Sequence, residues 1–334
     1  MVDAEPQSQT GATFSTGDLS PCILGTNIGH NGSSHIVRFG VPLAINLAAS
    51  AATRTGPRPH NEDTFVALPQ IYAVADGMGG HAAGEVASGL VADALSILAS
   101  LPCLEREDVL SALRRVNDDI LLRNREEVGT SRMGTTVCGV ALLDSKGEGT
   151  VLVFNVGDSR AYLIRSGVLT QITVDHSVVQ ELIDAGEIEP SAARTHPQRN
   201  VVTRVIGGEG QLVIDTYDIG AREGDRLLIC SDGVTGELTD NDLAGILRIP
   251  NRDDAVQRLL DAAIQAGTRD NATAAIVDVI GVIGGLSTKS DDEDTQPRVG
   301  IERHEDGDHQ PNVDDVEITS VPFDLSNLTT ETTT

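Results

Sequence analysis

Apolar residues recur at two different periods in the middle of this chain. Spacings of three and four between Val109, Leu113, Val116 and Ile120 predict a helix over residues 106–125. A helix is also predicted just before it, after a glycine-rich turn. Its expected apolar face is formed by Leu90, Ala94, Leu95 and Leu98. The two helices follow each other without a strand between them.

Short apolar runs bounded by turn residues predict strands in the rest of this region. They are residues 43–53, 65–68 and 71–75, the segments TTVCGVALLD, TVLVFNVGD, RAYLIRSG and VLTQIT, and residues 212–219, 226–230 and 272–280. The short RSG connection predicts a hairpin and therefore antiparallel pairing. Two more helices fit residues 239–247 and 253–266. Because strands and helices occur in blocks, the pattern favours an α+β fold with antiparallel sheets.

The two ends of the chain lack this periodicity. Residues 1–47 are predicted to be a flexible N-terminal arm, and residues 48–281 a single domain large enough for an enzyme. Residues 282–334 are predicted to be an acidic, disordered C-terminal tail, because residues 285–334 carry thirteen Asp or Glu against three Lys or Arg.

The formal net charge of −26 argues against some partners. Nucleic acid and anionic membranes are repelled by such a chain on average. The first residues have neither the basic nor the apolar part of a secretory signal, and the run VPLAINLAASAA is too short to span a bilayer. We therefore expect a soluble, cytoplasmic and monomeric protein.

Aspartates follow or precede several of the predicted strands. They are Asp76, Asp158, Asp232 and Asp270. Any one of them alone is better explained as a turn former at a strand end. Carboxylates brought together repel one another by about 4 kcal/mol per pair at 4 Å near a protein surface. Oxygen ligands suit hard cations, so the set of four predicts a site for Mg²⁺ or Mn²⁺.

The segment GMGGHA, which follows Asp76, also matches the loose fingerprint of a dinucleotide-binding turn. Three observations argue against that function. A carboxylate directly before the turn would repel a pyrophosphate, no acidic residue lies at residues 96–101 where the ribose partner is expected, and the βαβ alternation is missing.

A family resemblance rests on seven motifs in fixed order. These are RPHNED, ADGMGGHAAGEVAS, MGTT, GDSRAYLIRSG, THPQRN, CSDG and RDN. In this order they closely resemble the metal-dependent protein Ser/Thr phosphatases of the type 2C family, and bacterial members in particular. The resemblance covers about residues 48–281 and neither end. It implies a four-layer α/β/β/α sandwich with two central antiparallel sheets and a centre of two Mn²⁺ or Mg²⁺ ions.

The resemblance also implies roles for individual residues. Asp76 would bridge the two ions and Gly77 would bind one of them through its carbonyl oxygen. The remaining implied metal ligands are Asp232 and Asp270 at one ion, Glu62 through water, and Asp158 with Asp232 at a third ion as in bacterial relatives.

Two further residues are expected to act on the substrate. The planar fork of Arg58 suits two phosphate oxygens. His81 is a candidate general acid for the leaving oxygen, and a helix-capping or packing role for it is left open. One departure from the family pattern lies beside Arg58: in ATRTGPRPH, Arg54 stands in the neighbourhood where the family has an acidic residue, and one position is missing before Arg58. This departure predicts weaker turnover.

The sequence therefore predicts a phosphatase that removes phosphate from phosphoserine and phosphothreonine without a covalent intermediate. Its expected partners are phosphorylated proteins, namely Ser/Thr kinases and their substrates. A regulatory protein that binds phosphoproteins without turnover is the alternative, and a nuclease or phosphodiesterase is disfavoured by the acidic surface.

Overall fold

Two antiparallel sheets packed face to face form the centre of the molecule. The computed structural model describes residues 44–79, 83–126, 132–145, 148–283 and 302–305. The strands are β1 (Ala44–Arg54), β2 (Asp63–Leu68), β3 (Ile71–Met78), β4 (Gly134–Thr135), β5 (Val137–Ser145), β6 (Glu148–Val156), β7 (Arg160–Arg165), β8 (Val168–Gln171), β9 (Asp215–Gly220), β10 (Arg226–Cys230), β11 (Ala272–Ile283) and β12 (Glu302–Glu305). The helices are α1 (Ala83–Leu98), α2 (Arg106–Glu126), α3 (Val178–Asp184), α4 (Pro190–Ala193), α5 (Asp232–Thr235), α6 (Asp240–Ile246) and α7 (Arg252–Ala266).

The first sheet has the strand order β1-β11-β10-β7-β8. The second has the order β12-β9-β6-β5-β3-β2, with β4 paired to β3. Helices α1 and α2 cover the second sheet, and α6 and α7 cover the first. The predicted four-layer α/β/β/α sandwich is confirmed.

Three apolar clusters hold the four layers together. Between the sheets, buried residues such as Val153, Leu163 and Ile229 alternate with side chains that point outward to the helices. The outer clusters contain Leu113 on one side and Leu259 on the other. Because every layer buries apolar surface on a neighbour, the loops at the sheet edges are carried on a rigid scaffold.

Local sequence explains most element boundaries. Ser166 and Gly167 have φ angles of 51° and 82°, which is the backbone of a two-residue hairpin turn and confirms the predicted β7–β8 hairpin. In α7, the Asn251 side chain accepts hydrogen bonds from the amides of Asp253 and Asp254. The helix ends at Gly267, whose φ of 97° disfavours other residues.

Two expectations differ from the structure in detail. The fully buried face of α1 is formed by Ala87, Val91 and Leu95. Of the four residues predicted for that face, Leu95 is confirmed, whereas Leu90, Ala94 and Leu98 are only partly buried against the same core. Small residues in the first turns let α1 lie close to the sheet, which rotates its contact face away from the larger leucines.

Strands also extend beyond residues 48–281 at both ends. Strand β1 begins at Ala44, which pairs with Ile283 at the end of β11. The predicted limits of 48 and 281 followed the apolar pattern of the sequence, and antiparallel pairing continues beyond that pattern. Residues 302–305, inside the segment predicted to be a disordered tail, form β12 on β9. The open edge of β9 offers unpaired backbone groups, and pairing with them needs no apolar side chain. The remainder of both predicted ends lies outside the described residues.

Candidate metal and phosphate site

The carboxylates predicted to bind metal converge at one edge of the sandwich. The β2–β3 hairpin pairs Asp63 directly with Asp76 at its open end. In the second sheet, Asp158 follows the end of β6, and in the first sheet Asp232 and Asp270 lie at adjoining ends of β10 and β11. Face-to-face packing of the two sheets brings these strand ends together.

The carboxyl groups at this edge raise one another's pKa values. Burial, followed by the charges of Asp63, Asp232, Asp158 and Asp270, raises the pKa of Asp76 well above its ordinary value. Burial and the neighbouring Asp232 raise the pKa of Asp158 to about 8. Like charges held together in this way create a strong preference for protons or cations.

Asp232 lies at the centre of this group. Burial and then the charge of Asp270 raise its pKa, while a hydrogen bond with Asp76 and the charge of Arg58 act in the opposite direction. Among the residues that the structure describes, neither the buried Oδ1 atom of Asp232 nor that of Asp63 has a hydrogen-bond partner. Buried oxygens of this kind are normally satisfied, so these two fit a cation or its water shell.

The carboxylates lie near one another but do not form a complete set of metal ligands. Within the part of the chain that the structure describes, no three His, Cys, Asp or Glu side chains have the tight arrangement of a finished metal site. All candidate donors are nevertheless oxygen atoms, and their negative charge, which Arg58 offsets only at Asp270 and in part at Asp232, suits Mg²⁺ or Mn²⁺. The residues present therefore fit divalent metal ions.

The MGTT motif holds the strand that carries Asp76. Thr136 donates its amide to the Asp76 carbonyl oxygen at 2.9 Å, and its Oγ1 accepts the Asp76 amide at 3.1 Å. The hydroxyl of Thr135 also donates to the Asp76 carbonyl oxygen at 3.0 Å. These bonds fix the backbone from which the Asp76 carboxylate projects.

Gly77 is required by close backbone approach. A Cβ at this position would lie 2.1 Å from the carbonyl oxygen of Gly84 and 2.6 Å from that of Glu62. Its amide donates to the Glu62 carbonyl oxygen at 3.1 Å. Side chains larger than hydrogen would separate the β2–β3 hairpin end from α1.

Glu62 lies in the loop before β2 and is partly exposed. Asn271 holds this loop in place: its Oδ1 accepts the Glu62 amide at 2.9 Å, and its Nδ2 donates to the carbonyl oxygens of Thr55 and His60 at 2.8 and 2.9 Å. The RDN and RPHNED motifs are therefore joined by one asparagine side chain.

Arg58 projects from the same loop beside Asp270. Its Nη2 donates to Asp270 Oδ2 at 2.7 Å and its Nε donates to the Arg269 carbonyl oxygen at 3.0 Å. Half of the side chain is exposed. The guanidinium of Arg58 is therefore held by hydrogen bonds to Asp270 and Arg269, and it remains accessible to a ligand from solvent.

A flap of residues 175–208 stands beside this site. His176 fixes the start of the flap to Gly157. The His176 amide donates to the Gly157 carbonyl oxygen, and His176 Nδ1 accepts a hydrogen bond from the Gly157 amide, both at 3.0 Å. The rest is largely exposed, and Arg194 connects it to the α5 end by donating to the carbonyl oxygens of Thr235, Gly236 and Leu238. Helix α5 begins at Asp232, so the flap is tied to the element that carries a predicted metal ligand.

Most of the predicted site residues are brought together. Asp76, Gly77, Asp158, Asp232, Asp270, Glu62 and Arg58 all lie at this edge. His81 lies outside the described residues, so its predicted role stays a prediction.

Sequence reasoning assigned no role to Asp63, although it stands in the RPHNED motif. Burial raises its pKa to about 7, and its Oδ2 accepts a 2.8 Å hydrogen bond from Ser231. An acidic residue at the first position of an apolar strand was the available signal. Thr136 and Asn271 carry no comparable signal, because their roles depend on backbone groups far away in sequence.

Comparisons with known proteins agree with this geometry. The sequence profile of the protein phosphatase 2C family matches residues 60–280. The serine/threonine protein phosphatase PstP of Mycobacterium tuberculosis is 36% identical over 276 residues, which are 79% of this chain and 52% of PstP. The chain thus spans about half the length of that relative. The serine/threonine phosphatase stp of Listeria monocytogenes is 36% identical over 233 residues, covering 66% of this chain and 91% of stp.

Solved structures give the same result. The crystal structure of the Mycobacterium tuberculosis phosphatase PstP/Ppp superposes with a TM-score of 0.65 at 38% identity, covering 71% of this chain and 99% of that one. The catalytic domain of PstP in complex with two manganese ions superposes with a TM-score of 0.64 at 35% identity, covering 71% and 100%.

None of the helices in the described ranges combines the length and apolar character needed to cross a membrane.

Proposed function

This chain belongs to the protein phosphatase 2C family, and we propose on that basis that it is a metal-dependent protein serine/threonine phosphatase. Its substrates are phosphoserine and phosphothreonine residues of proteins. Hydrolysis proceeds by direct attack of water on phosphorus, without a covalent intermediate.

One observation carries this proposal: the carboxyl groups of Asp63, Asp76, Asp158 and Asp232, from three separate stretches of the chain, meet at one edge with raised pKa values. The buried Oδ1 atoms of Asp63 and Asp232 have no hydrogen-bond partner among the described residues. Divalent Mn²⁺ or Mg²⁺ would be held by Asp76, the Gly77 carbonyl oxygen, Asp232 and Asp270. Glu62 would reach a metal through water, and Asp158 with Asp232 would hold a third ion. When bound, such cations generate a nucleophile from water near neutral pH and neutralise negative charge as the ester bond breaks.

The protein's own residues bind and orient the substrate. Arg58 donates to the phosphate oxygens from a guanidinium that Asp270 and the Arg269 carbonyl oxygen already orient. His81 donates a proton to the leaving serine or threonine oxygen. The flap, tied to α5 through Arg194, borders the path by which a phosphoprotein reaches Arg58.

The biological setting is part of the proposal. Phosphoproteins arise from ATP-dependent kinases, so Ser/Thr kinases and their targets are the partners, and the cytoplasm is the location in which we expect the protein to act. The names of its relatives support the substrate class. Phosphoproteome comparison of cells with and without the protein tests this part.

The activity is tested by phosphate release from a phosphothreonine peptide with Mn²⁺, with Mg²⁺ and with excess chelator. We expect release with either metal and none with chelator. A bis-phosphodiester and single-stranded DNA serve as competing substrates. Hydrolysis of these diesters, or peptide hydrolysis that persists in chelator, would overturn the proposal.

A further inference from the structure

A cleft of about 500 Å³ is lined by residues 54–57, the part of the chain just before Arg58. It runs between the loop after β1 and the outer side of α7. Its walls include Arg54, Gly56, Pro57, Asp261, Ile264 and Thr268. The stretch TRTGPRPH, which departs from the family pattern, therefore forms one side of this cleft.

The cleft and the phosphate site share a wall. Gly56 has a φ of 62°, and a Cβ on it would lie 2.4 Å from the Asp270 carbonyl oxygen and 3.8 Å from Ile264 Cδ1. Asp270 is also the residue whose carboxylate pairs with Arg58. The floor of the cleft is thus continuous with the place where we expect the substrate phosphate to bind.

The two charged side chains of the cleft lie near each other. Arg54 donates to the Gln257 side chain and to the Thr53 carbonyl oxygen, and it lies 3.8 Å from Asp261. Because Arg54 is already held by groups of this chain, it gives a charged ligand group little in return for the water that the group loses.

Thr55, Gln265 and Thr268 add polar groups to the lining, but most of the cleft surface is apolar. Ile264 is 40% exposed although it is a large apolar residue, and Pro57 is exposed beside it. An apolar side chain bound in the cleft would cover both Ile264 and Pro57. This favours an apolar occupant over a polar one.

We propose that this cleft receives an apolar side chain of the substrate, two residues away from the phosphorylated serine or threonine. The inference rests on the proposed phosphatase function. In an extended peptide, residues two apart point to the same side and are about 7 Å from each other. A phosphate held by Arg58 therefore directs such a side chain toward Ile264 and Pro57.

The test uses phosphothreonine peptides that are identical except for leucine or serine at the position two before or two after the phosphothreonine. With the full-length protein and Mn²⁺, we expect one leucine peptide to have a kcat/KM about five- to tenfold above its serine counterpart, mainly through KM. Ile264→Ser should reduce this leucine-to-serine ratio to about one. Ile264→Met, which keeps an apolar side chain of similar size, should retain it.

Ile97→Ser is the matched control, because Ile97 is an exposed helical isoleucine on the opposite layer. It should keep the wild-type ratio. Equal kcat/KM for leucine and serine peptides in the wild type, or a preference that survives Ile264→Ser, would overturn the inference. Absence of metal-dependent release from every peptide would instead overturn the proposed function, and the inference with it.

Discussion

Arg58 Nη2 and Asp270 Oδ2 are 2.7 Å apart, so the predicted phosphate ligand and a predicted metal ligand form one ion pair. The pair is half-exposed on the arginine side and about one third exposed on the aspartate side. Exposed pairs of this kind contribute little to folding. The arrangement is therefore better explained by orientation of the guanidinium toward a ligand than by stabilisation of the fold.

Replacement of Arg58 should separate activity from stability. We expect Arg58→Ala to lower kcat/KM about 10- to 100-fold, because a hydrogen bond to a charged group contributes about 1.5–3 kcal/mol. The free energy of unfolding should change by less than about 1 kcal/mol. Arg58→Lys should recover activity only in part, since an ammonium group lacks the planar fork. An unchanged kcat/KM in Arg58→Ala would exclude Arg58 from phosphate binding.

The carboxylate cluster predicts a specific dependence of stability on pH. The pKa of Asp158 is about 8 in the folded chain, against an ordinary value of 3.8. Between these values the folded state holds more protons than the unfolded state, so the stability of metal-free protein falls as pH rises from about 4 to about 8. The Tm measured in chelator at pH 5 and pH 8 tests this, and Asp158→Asn should make the fall smaller. An equal or larger fall in the variant would contradict the assignment.

Metal binding should restore the stability that the metal-free protein loses at high pH. Mn²⁺ binds deprotonated carboxylates, so it should raise Tm more at pH 8 than at pH 5 and release protons when it binds near pH 7. Titration calorimetry in two buffers of different ionisation enthalpy measures the released protons. Binding without proton release would mean that the ions do not meet the coupled carboxylates.

The three hydrogen bonds from Arg194 to the end of α5 predict a role in ordering the flap. In Arg194→Ala we expect amides of residues 192–201 to exchange hydrogen about two- to fivefold faster, because a cation at an exposed helix end contributes about 0.3–1 kcal/mol. The KM for a phosphoprotein should rise as the flap becomes less ordered. Arg123→Ala, at an exposed arginine of α2, is the control and should change neither quantity. Unchanged flap exchange would show that Arg194 does not hold it.

The sequence predicts individual strands and hairpins better than it predicts how the site residues are placed against each other. Strand β10 was predicted with the bounds it has, Arg226–Cys230, because its apolar run ends at turn residues on both sides. The β7–β8 hairpin followed from Ser166 and Gly167. The register that sets Asp63 against Asp76 has no such local signal, since it depends on the length of the hairpin turn.

Strand β12 and the contacts of Arg194 were not predicted for a related reason. The residues of β12 lack apolar alternation in the sequence, and they pair with β9 in antiparallel register. Arg194 reaches carbonyl oxygens more than forty positions away in sequence, which are arranged only after the flap has folded against α5. Both features arise from tertiary structure. The metal-site residues were instead identified through ordered motifs.

The buried ion pair between Asp225 and Arg165 in the first sheet should contribute to the stability of the fold. Asp225 is 3% exposed and accepts from Arg165 Nε and Nη2 at 2.8 and 2.7 Å. We expect Asp225→Asn to lower the free energy of unfolding by about 3–5 kcal/mol, because it leaves a buried arginine without its counter-charge. Urea unfolding in chelator measures this, with the exposed Asp254→Asn as control. A loss below about 1 kcal/mol would contradict the account of this pair.

The most direct test of the whole account is phosphate release from a phosphothreonine peptide by Asp232→Asn, with Mn²⁺ binding measured on the same samples. Asp254→Asn, which changes an exposed carboxylate in the first turn of α7, is the matched control. We predict that Asp232→Asn remains folded, binds Mn²⁺ more weakly and loses at least about 100-fold in release, because the metal ions supply several kcal/mol to the reaction. Wild-type release and Mn²⁺ affinity in Asp232→Asn would contradict the claim that the buried carboxylates form the catalytic metal centre.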